Sequence, residues 1–368
     1  MKQIPILDLG PQYFRLKPQI DRAIASVMES GNFIMGKEVE LFENEVAKYS
    51  GVKYAVGLNS GTDALVIGLR ALGIGAGDEV ITSSFSFFAT AEAISLLGAK
   101  PVFVDIDPGT FNLNPELLPE ALTKKTKAII PVHLFGLGCQ MGPILEFAQK
   151  HSLKVLEDCA QSFGGHETTS GNFLGSLGHA GALSFFPSKN LGAAGDAGML
   201  LTNDSAVAEQ SRALRTHGGK KKYFNETVGY NSRLDTIQAA ILRVKLPHLD
   251  SWNKERFAVA QSYHELLSGI PGLALPGLVS GHAFHQFTVR LSHVNRDAVQ
   301  TKLAAKGIAT MIYYPVPIHR LPVYAGQYAP LPECEKAAAE VLSLPIGPGM
   351  PDSNLETVAT ELRSLLTQ

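Results

Sequence analysis

One lysine stands where the chain offers little other bulk. The run Ala182-Leu183-Ser184-Phe185-Phe186-Pro187-Ser188-Lys189-Asn190-Leu191-Gly192-Ala193-Ala194-Gly195-Asp196-Ala197-Gly198 passes from an apolar strand through Ser, Pro and a single Lys into small residues. A second apolar strand begins at Met199. A lysine at a strand end with small neighbours suits Schiff-base chemistry. That chemistry needs a partly dry, cramped site where the neutral amine is accessible and a planar cofactor fits against it. Most loop lysines are solvated surface charges, so Lys189 points to chemistry only if the rest of the chain brings it partners.

Two stretches offer such partners. Asp158 closes an apolar strand and precedes Cys159-Ala160-Gln161-Ser162. An acid there is commonly a turn former or cap. Its functional alternative is a carboxylate that holds a protonated heterocyclic nitrogen, with Gln161 donating to an oxygen on the same ring. The second stretch is Asn59-Ser60-Gly61-Thr62-Asp63, between the strand 54–58 and a helix over 64–72. A strand, a Gly/Ser/Thr turn and a helix present free backbone N–H groups to an anion, although Ser60 or Asp63 is by itself a plain N-cap.

The elements that position these residues follow a βα alternation. Apolar periodicity predicts helices over 18–30 and 38–49. Strands at 80–82, 101–104, 128–133 and 154–156 alternate with helices at 89–97 and 143–150. Such a pattern predicts a mostly parallel sheet covered on both faces, with ligands at the carboxyl ends of its strands. The Gly/Ser/Thr turn, Asp158 and Lys189 all fall at that edge. Residues 216–229 read as a mobile loop whose lysines are solvated, and helices follow at 236–246 and 252–267. Gly269, Pro271, Gly272, Pro276, Gly277 and Gly281 crowd a linker. Beyond it a strand (283–291), a helix (296–305), a strand (309–314) and a helix (333–342) form a small α+β unit. The chain is thus expected to divide into a large domain over 1–250, including an N-terminal arm, and a smaller one over 251–368.

Composition narrows the class. The 368 residues are 45% hydrophobic and 18% charged, with a formal net charge of −2, which is the balance of a globular protein with ample core. That charge argues against a non-specific nucleic-acid binder. Cys139, Cys159 and Cys334 form no CxxC pair and no ligand spacing, which suits a reducing compartment. The N-terminus lacks a signal-peptide pattern and no apolar run approaches a membrane span, so a cytoplasmic location without membrane partners is expected.

Taken together, the motifs resemble the DegT/DnrJ/EryC1/StrS family of pyridoxal-phosphate-dependent sugar aminotransferases. The resemblance runs nearly end to end. It rests on Asn59-Ser60-Gly61-Thr62-Asp63-Ala64-Leu65, Pro101-Val102-Phe103-Val104-Asp105, Glu157-Asp158-Cys159-Ala160-Gln161, Ser184 to Gly192, and Gly229-Tyr230-Asn231-Ser232-Arg233-Leu234. It implies the aspartate-aminotransferase fold (type I of pyridoxal-phosphate enzymes), with a mostly parallel central sheet flanked by helices and a smaller C-terminal α+β domain. It implies that Lys189 carries the cofactor covalently and later moves a proton, that Asp158 pairs with the pyridine nitrogen, and that Gln161 contacts the phenolic oxygen. Phe87 is the expected stacking aromatic, with Phe88 next and burial at a helix start the competing reading. Gly61, Thr62 and Ser184 are expected at the cofactor phosphate. Asn231 is expected at the phosphate of a neighbouring subunit's cofactor, which makes a homodimer with shared sites the minimum unit. Tyr314 and His319, in Tyr313-Tyr314-Pro315-Val316-Pro317-Ile318-His319, are expected near the sugar.

Within the family, a lysine at 189 favours amine transfer over dehydration. Lys189-Asn190-Leu191-Gly192 followed by Gly195-Asp196 resembles members acting at C3 of a nucleotide-linked keto sugar. The expected reaction moves the amino group of L-glutamate to a nucleotide-linked 3-keto hexose, with no metal. A C4-keto sugar or cyclitol aminotransferase is the alternative. An amino-acid aminotransferase is a further rival, for which Arg233 is the one arginine to point to. A non-catalytic regulatory homologue is the remoter one.

Overall fold

The computed structural model describes residues 3–221 and 223–367. Seven strands form the central sheet: β1 (Tyr54–Leu58), β2 (Glu79–Ser83), β3 (Lys100–Val104), β4 (Thr126–Ile130), β5 (Lys154–Asp158), β6 (Ala180–Ser184) and β7 (Gly198–Thr202). Their spatial order is β1-β7-β6-β5-β4-β2-β3. All contacts across β6-β5-β4-β2-β3 are parallel. β7 alone runs antiparallel, between β1 and β6. Because the strands are short apolar runs without polar alternation, both faces must be covered. One face buries Val56, Ile67, Leu69, Val80 and Leu200. Another core holds Phe42, Phe163, Phe185, Leu234 and Trp252.

The covering helices are α1 (Gly10–Ser30), α2 (Lys37–Ser50), α3 (Gly61–Ala71), α4 (Ala89–Leu96), α5 (Leu118–Ala121), α6 (Met141–Lys150), α7 (Ser205–Leu214) and α8 (Thr236–Lys245). A hairpin, β8 (Gly219–Lys221) with β9 (Phe224–Asn225), occupies the segment expected to be loop. After α9 (Leu249–Leu267) come a three-stranded sheet of β10 (Leu273–Ala274), β11 (Phe287–Leu291) and β12 (Val341–Leu344), and the helices α10 (Arg296–Ala305), α11 (Pro332–Glu340) and α12 (Asp352–Leu366). Tyr263, Phe284, Phe287, Leu303 and Leu342 form a separate core here. Ile4 joins that core through a bridge to Ile308, so the N-terminal arm packs against C-terminal residues. Leu249 and Trp252 at the start of α9 belong to one core, and Ala260 and Tyr263 further along belong to the other. One helix therefore ties the two cores together.

Several expectations are corrected. Helix α1 begins at Gly10, upstream of the expected start, and passes through Pro18. Burial of Leu16 and Ile20 on one face outweighs the bond that the proline removes. Residues 309–314 are not a strand. They make a single bridge, Met311 to Ser343, before the chain turns toward Tyr313 and Tyr314. The helix expected to reach 342 stops at Glu340, and Val341 enters β12 because β11 supplies a partner and both faces are buried. The strand expected from 283 begins only at Phe287. Phe284 instead holds a left-handed backbone (φ 42°), and the irregular segment 283–286 is free to reach the site described next.

Candidate active site

Gly61, Thr62, Phe87, Asp158, Gln161, Ser184, Lys189 and Tyr314 line one cavity of ≈ 640 Å3. It lies at the carboxyl ends of β1, β5 and β6, where a parallel sheet leaves room between its connecting loops.

The anion-binding end comes from α3. Ser60 caps the helix, its hydroxyl accepting from Asp63 N–H at 3.1 Å. The N–H groups of Gly61 and Thr62 have no intrahelical acceptor, and the helix dipole favours negative charge there. Glycine at 61 is required by packing, since a Cβ would sit 2.6 Å from Ser184 Cβ. Glycine at 198, opening β7, is required more strictly, because a Cβ there would lie 2.2 Å from the Ser60 carbonyl. These two close approaches bring the capping turn against the end of β6 and put the Thr62 and Ser184 side chains in the same cavity wall.

The opposite charge sits at Asp158. Burial pushes its carboxyl above the ordinary value, against the hydrogen bonds from Thr90 Oγ1 (2.8 Å) and Ala160 N–H (3.1 Å) and the nearby charge of Lys189. Lys189 follows a tight turn in which its N–H donates to Phe186 O at 2.8 Å. Burial pushes its amine down to about 8, with Asp158 pulling the other way. At pH 7 about a tenth of it is then the neutral nucleophile, far more than for an ordinary lysine. The loop behind is held by Ala193 N–H on Phe185 O and by Lys245 Nζ on Gly192 O.

Gln161 is fixed from two sides. Its Oε1 accepts from Phe135 N–H at 2.7 Å and its Nε2 donates to Tyr314 Oη at 3.0 Å. Phe87, 59% exposed, stands in the cavity, whereas Phe88 packs with Tyr324 in a small core. An aromatic left this open beside a buried carboxylate and a lysine is a surface awaiting a planar ring. The donor set fits pyridoxal phosphate: N–H groups and hydroxyls at one end, a carboxylate at the other, an amine and an aromatic between.

Two sequence-derived residues fall elsewhere. Asn231 is exposed and outside the cavity wall. His319 is 1% exposed and does not line the cavity. Its Nδ1 meets Ser84 Oγ at 2.7 Å and its Nε2 meets Glu335 Oε1 at 3.0 Å, so both ring nitrogens are spent inside the protein. The expectation of direct sugar contact by His319 is corrected accordingly. Conversely, the cavity includes Thr90, Tyr313, His285 and Gln286, which sequence reasoning left out. Thr90 gives no sequence signal, because its role depends on α4 facing β5. The polar pair His285-Gln286, interrupting an apolar run, was the one available clue.

Among the described residues, His133, Glu157 and Cys159 also cluster. Glu157 is already saturated by N–H groups of Gly175, Leu177 and Gly178 and by His133 Nε2. Burial pushes the Cys159 thiol up to about 11. The trio is a structural knot with no valence to offer a metal ion.

The chain belongs to the DegT/DnrJ/EryC1/StrS aminotransferase family, which matches residues 15–363. It is 49% identical over 366 residues to a "Pleiotropic regulatory protein" of Geobacillus stearothermophilus, covering 98% of this chain and 97% of that one. It is 46% identical over 366 residues to the UDP-N-acetyl-3-dehydro-alpha-D-glucosamine 3-aminotransferase of Acidithiobacillus ferrooxidans, covering 99% and 98%. The solved structure of S. venezuelae DesV in complex with a ketimine intermediate superposes with a TM-score of 0.96 at 43% identity, over 100% of both chains. No helix among the described residues is long and apolar enough to cross a membrane.

Proposed function

We propose that this chain moves the amino group of L-glutamate to C3 of a nucleotide-linked 3-keto hexose, using pyridoxal 5′-phosphate, to give a 3-amino sugar and 2-oxoglutarate. The observation that carries the reading is one cavity in which a lysine amine, lowered to about 8, faces a buried carboxylate beside a helix N-terminus. When bound, the cofactor supplies an electron sink for the carbon that gains or loses nitrogen. Gly61 and Thr62 N–H groups and the Ser184 hydroxyl hold its phosphate. Asp158 holds its ring nitrogen protonated, Gln161 orients its phenolic oxygen, and Phe87 covers a ring face. Lys189 Nζ would hold the cofactor and would carry a proton to and from the reacting carbon. Residues 1–250 make the cofactor platform, residues 251–368 make the smaller domain, and Tyr314 contacts the sugar.

The working unit is a homodimer in which Asn231 reaches the phosphate end of the partner's site. Two features support this reading: Asn231 is exposed, and large apolar side chains are open on α1 and just after it (Phe14 71%, Met28 56%, Ile34 50%). Sedimentation at micromolar concentration with a monomer boundary would remove it.

The name of the Geobacillus relative favours a second reading, a regulator without chemistry. Against it, Lys189, Asp158 and Gln161 are all present and converge on one cavity. The test is a visible spectrum of the purified protein, titrated with L-glutamate and then with 3-keto and 4-keto nucleotide sugars. We expect a cofactor band that bleaches with glutamate and returns with the 3-keto sugar. No band after reconstitution would sink the enzymatic reading, and recovery by the 4-keto sugar alone would move the reaction to C4.

A further inference from the structure

His285 is 5% exposed, yet one of its ring nitrogens is left open toward the cavity. Its state follows from a chain of fixed amides. Asn253 Nδ2 donates to the Phe163 carbonyl at 3.2 Å, which orients Asn253 so that its Oδ1 is an acceptor. Asn190 Nδ2 donates to that Oδ1 at 2.7 Å and to the Ala283 carbonyl at 2.9 Å. Both partners accept only, so the Asn190 amide has one allowed orientation, with Oδ1 turned to His285. His285 Nδ1 lies 3.1 Å from that oxygen and must carry the proton. Burial, with the charges of Lys189 and Arg256 added, disfavours a second proton. Nε2 is therefore an unprotonated acceptor, and among the described residues no protein donor reaches it. Arg256, fully buried on α9, donates to the Phe284 and His285 carbonyls and so fixes the backbone behind the ring.

An acceptor on a 5%-exposed ring that opens only to the cavity wall is a ready partner for a ligand donor that enters the cavity. The ligand can be chosen by chemistry. Apart from its reacting amine, L-glutamate offers only carboxylates, which accept and cannot pair with an acceptor. A sugar offers hydroxyl donors. We infer that His285 Nε2 accepts a hydrogen bond from a hydroxyl of the sugar substrate, making His285 a specificity residue for the second half-reaction alone. This rests on the aminotransferase reading above.

His285→Asn tests it, because an Asn nitrogen can still reach Asn190 while nothing replaces Nε2. His285→Gln is its complement, restoring an acceptor near the Nε2 position. The two half-reactions are followed separately by stopped-flow absorbance, with L-glutamate and then UDP-N-acetyl-3-dehydro-α-D-glucosamine or its dTDP-linked 3-keto counterpart as probes. In His285→Asn, kcat/KM for the sugar should fall roughly 10- to 100-fold while the glutamate step stays within about threefold. His285→Gln should recover part of the loss. Histidine-ring 15N NMR, differenced against His285→Asn, should show a neutral ring protonated at Nδ1, with Nε2 shifting when the sugar nucleotide is added. Equal losses in both half-reactions would show that His285 acts on Lys189 through Asn190, and a ring protonated at Nε2 would reverse its polarity; either overturns the inference. If the wild-type protein completes the glutamate step but takes neither sugar, the sugar reading itself falls and this inference with it. If it fails the glutamate step, the aminotransferase reading falls first.

Discussion

Glu157 and Asp158 are consecutive, both buried, and both close β5, yet the fold treats them as opposites. Successive strand residues point to opposite faces. Glu157 turns beneath the sheet and accepts four hydrogen bonds at 2.6–3.0 Å, from His133 and from the N–H groups of Gly175, Leu177 and Gly178. Asp158 turns to the cavity and accepts two, from Thr90 and Ala160. Neither burial nor residue type separates an architectural carboxylate from a reactive one here. The number of lone pairs left open does. The same contrast separates His133, with both nitrogens spent, from His285, with one left open among the described residues.

The comparison breaks most visibly at Lys189. Lys189→Ala should lower steady-state amine transfer by at least about 10³-fold, and the cofactor band should be lost. Its thermal midpoint should stay level or rise, since a desolvated amine with no hydrogen-bonded partner among the described residues is removed. A variant that still turns over many equivalents would end the proposed role.

Glu157→Gln should do the reverse. An amide must turn its NH2 toward one of the N–H donors that the carboxylate satisfied, and that mismatch costs about 2–4 kcal/mol. Thermal denaturation should show the loss, with turnover per folded molecule within about threefold of wild type. Collapse of turnover at an unchanged midpoint would mean that Glu157 is chemically engaged, and the division drawn above would fail.

Titration gives a subtler separation. Burial lowers the Lys189 amine from 10.5 to about 8. Between those values the unfolded chain holds more protons, so this group's contribution to stability rises with pH through that window and the charged-burial penalty is complete below it. The rate at which cofactor-free protein captures pyridoxal phosphate should rise with pH around a midpoint near 8. A midpoint near 10.5 would show that the amine is solvated.

How much of this was legible in the sequence depended on how local each cause is. The seven sheet strands were readable because each is a short apolar run between Gly, Pro or polar breaks. The cavity set clustered at strand ends for the same reason. Illegible features depended on distant partners. Nothing near 341 announces that Val341 leaves a helix to pair with β11, and nothing near 309 says that Met311 will make only one bridge. His319 looked available for a sugar because sequence does not show Ser84 and Glu335 closing on it from 235 and 16 residues away. His285 stayed invisible because its tautomer is written in amides at 190 and 253.

The smallest expected effect concerns His319, and it is decided by sign. Its Nδ1 accepts from the Ser84 hydroxyl and its Nε2–H donates to Glu335, which also accepts from Arg320 at 2.7 Å. This ties the loop carrying Phe87 to α11 without touching the cavity. His319→Leu leaves the Ser84 hydroxyl without its acceptor and should cost about 1–2 kcal/mol, read by urea denaturation near neutral pH, with the glutamate half-reaction nearly unchanged. Burial lowers the ring's pKa, opposed by Glu335. The unfolded chain therefore binds the proton more readily, and stability from this site falls as pH drops below 6.5. The gap between wild type and His319→Leu should narrow on acidification through that range. A gap that widens as pH falls toward 6.5 and then stays level would mean an imidazolium paired with Glu335, whose folded pKa is raised and whose contribution is complete below 6.5; His319 would then be an ion-pair latch in place of a neutral, saturated one.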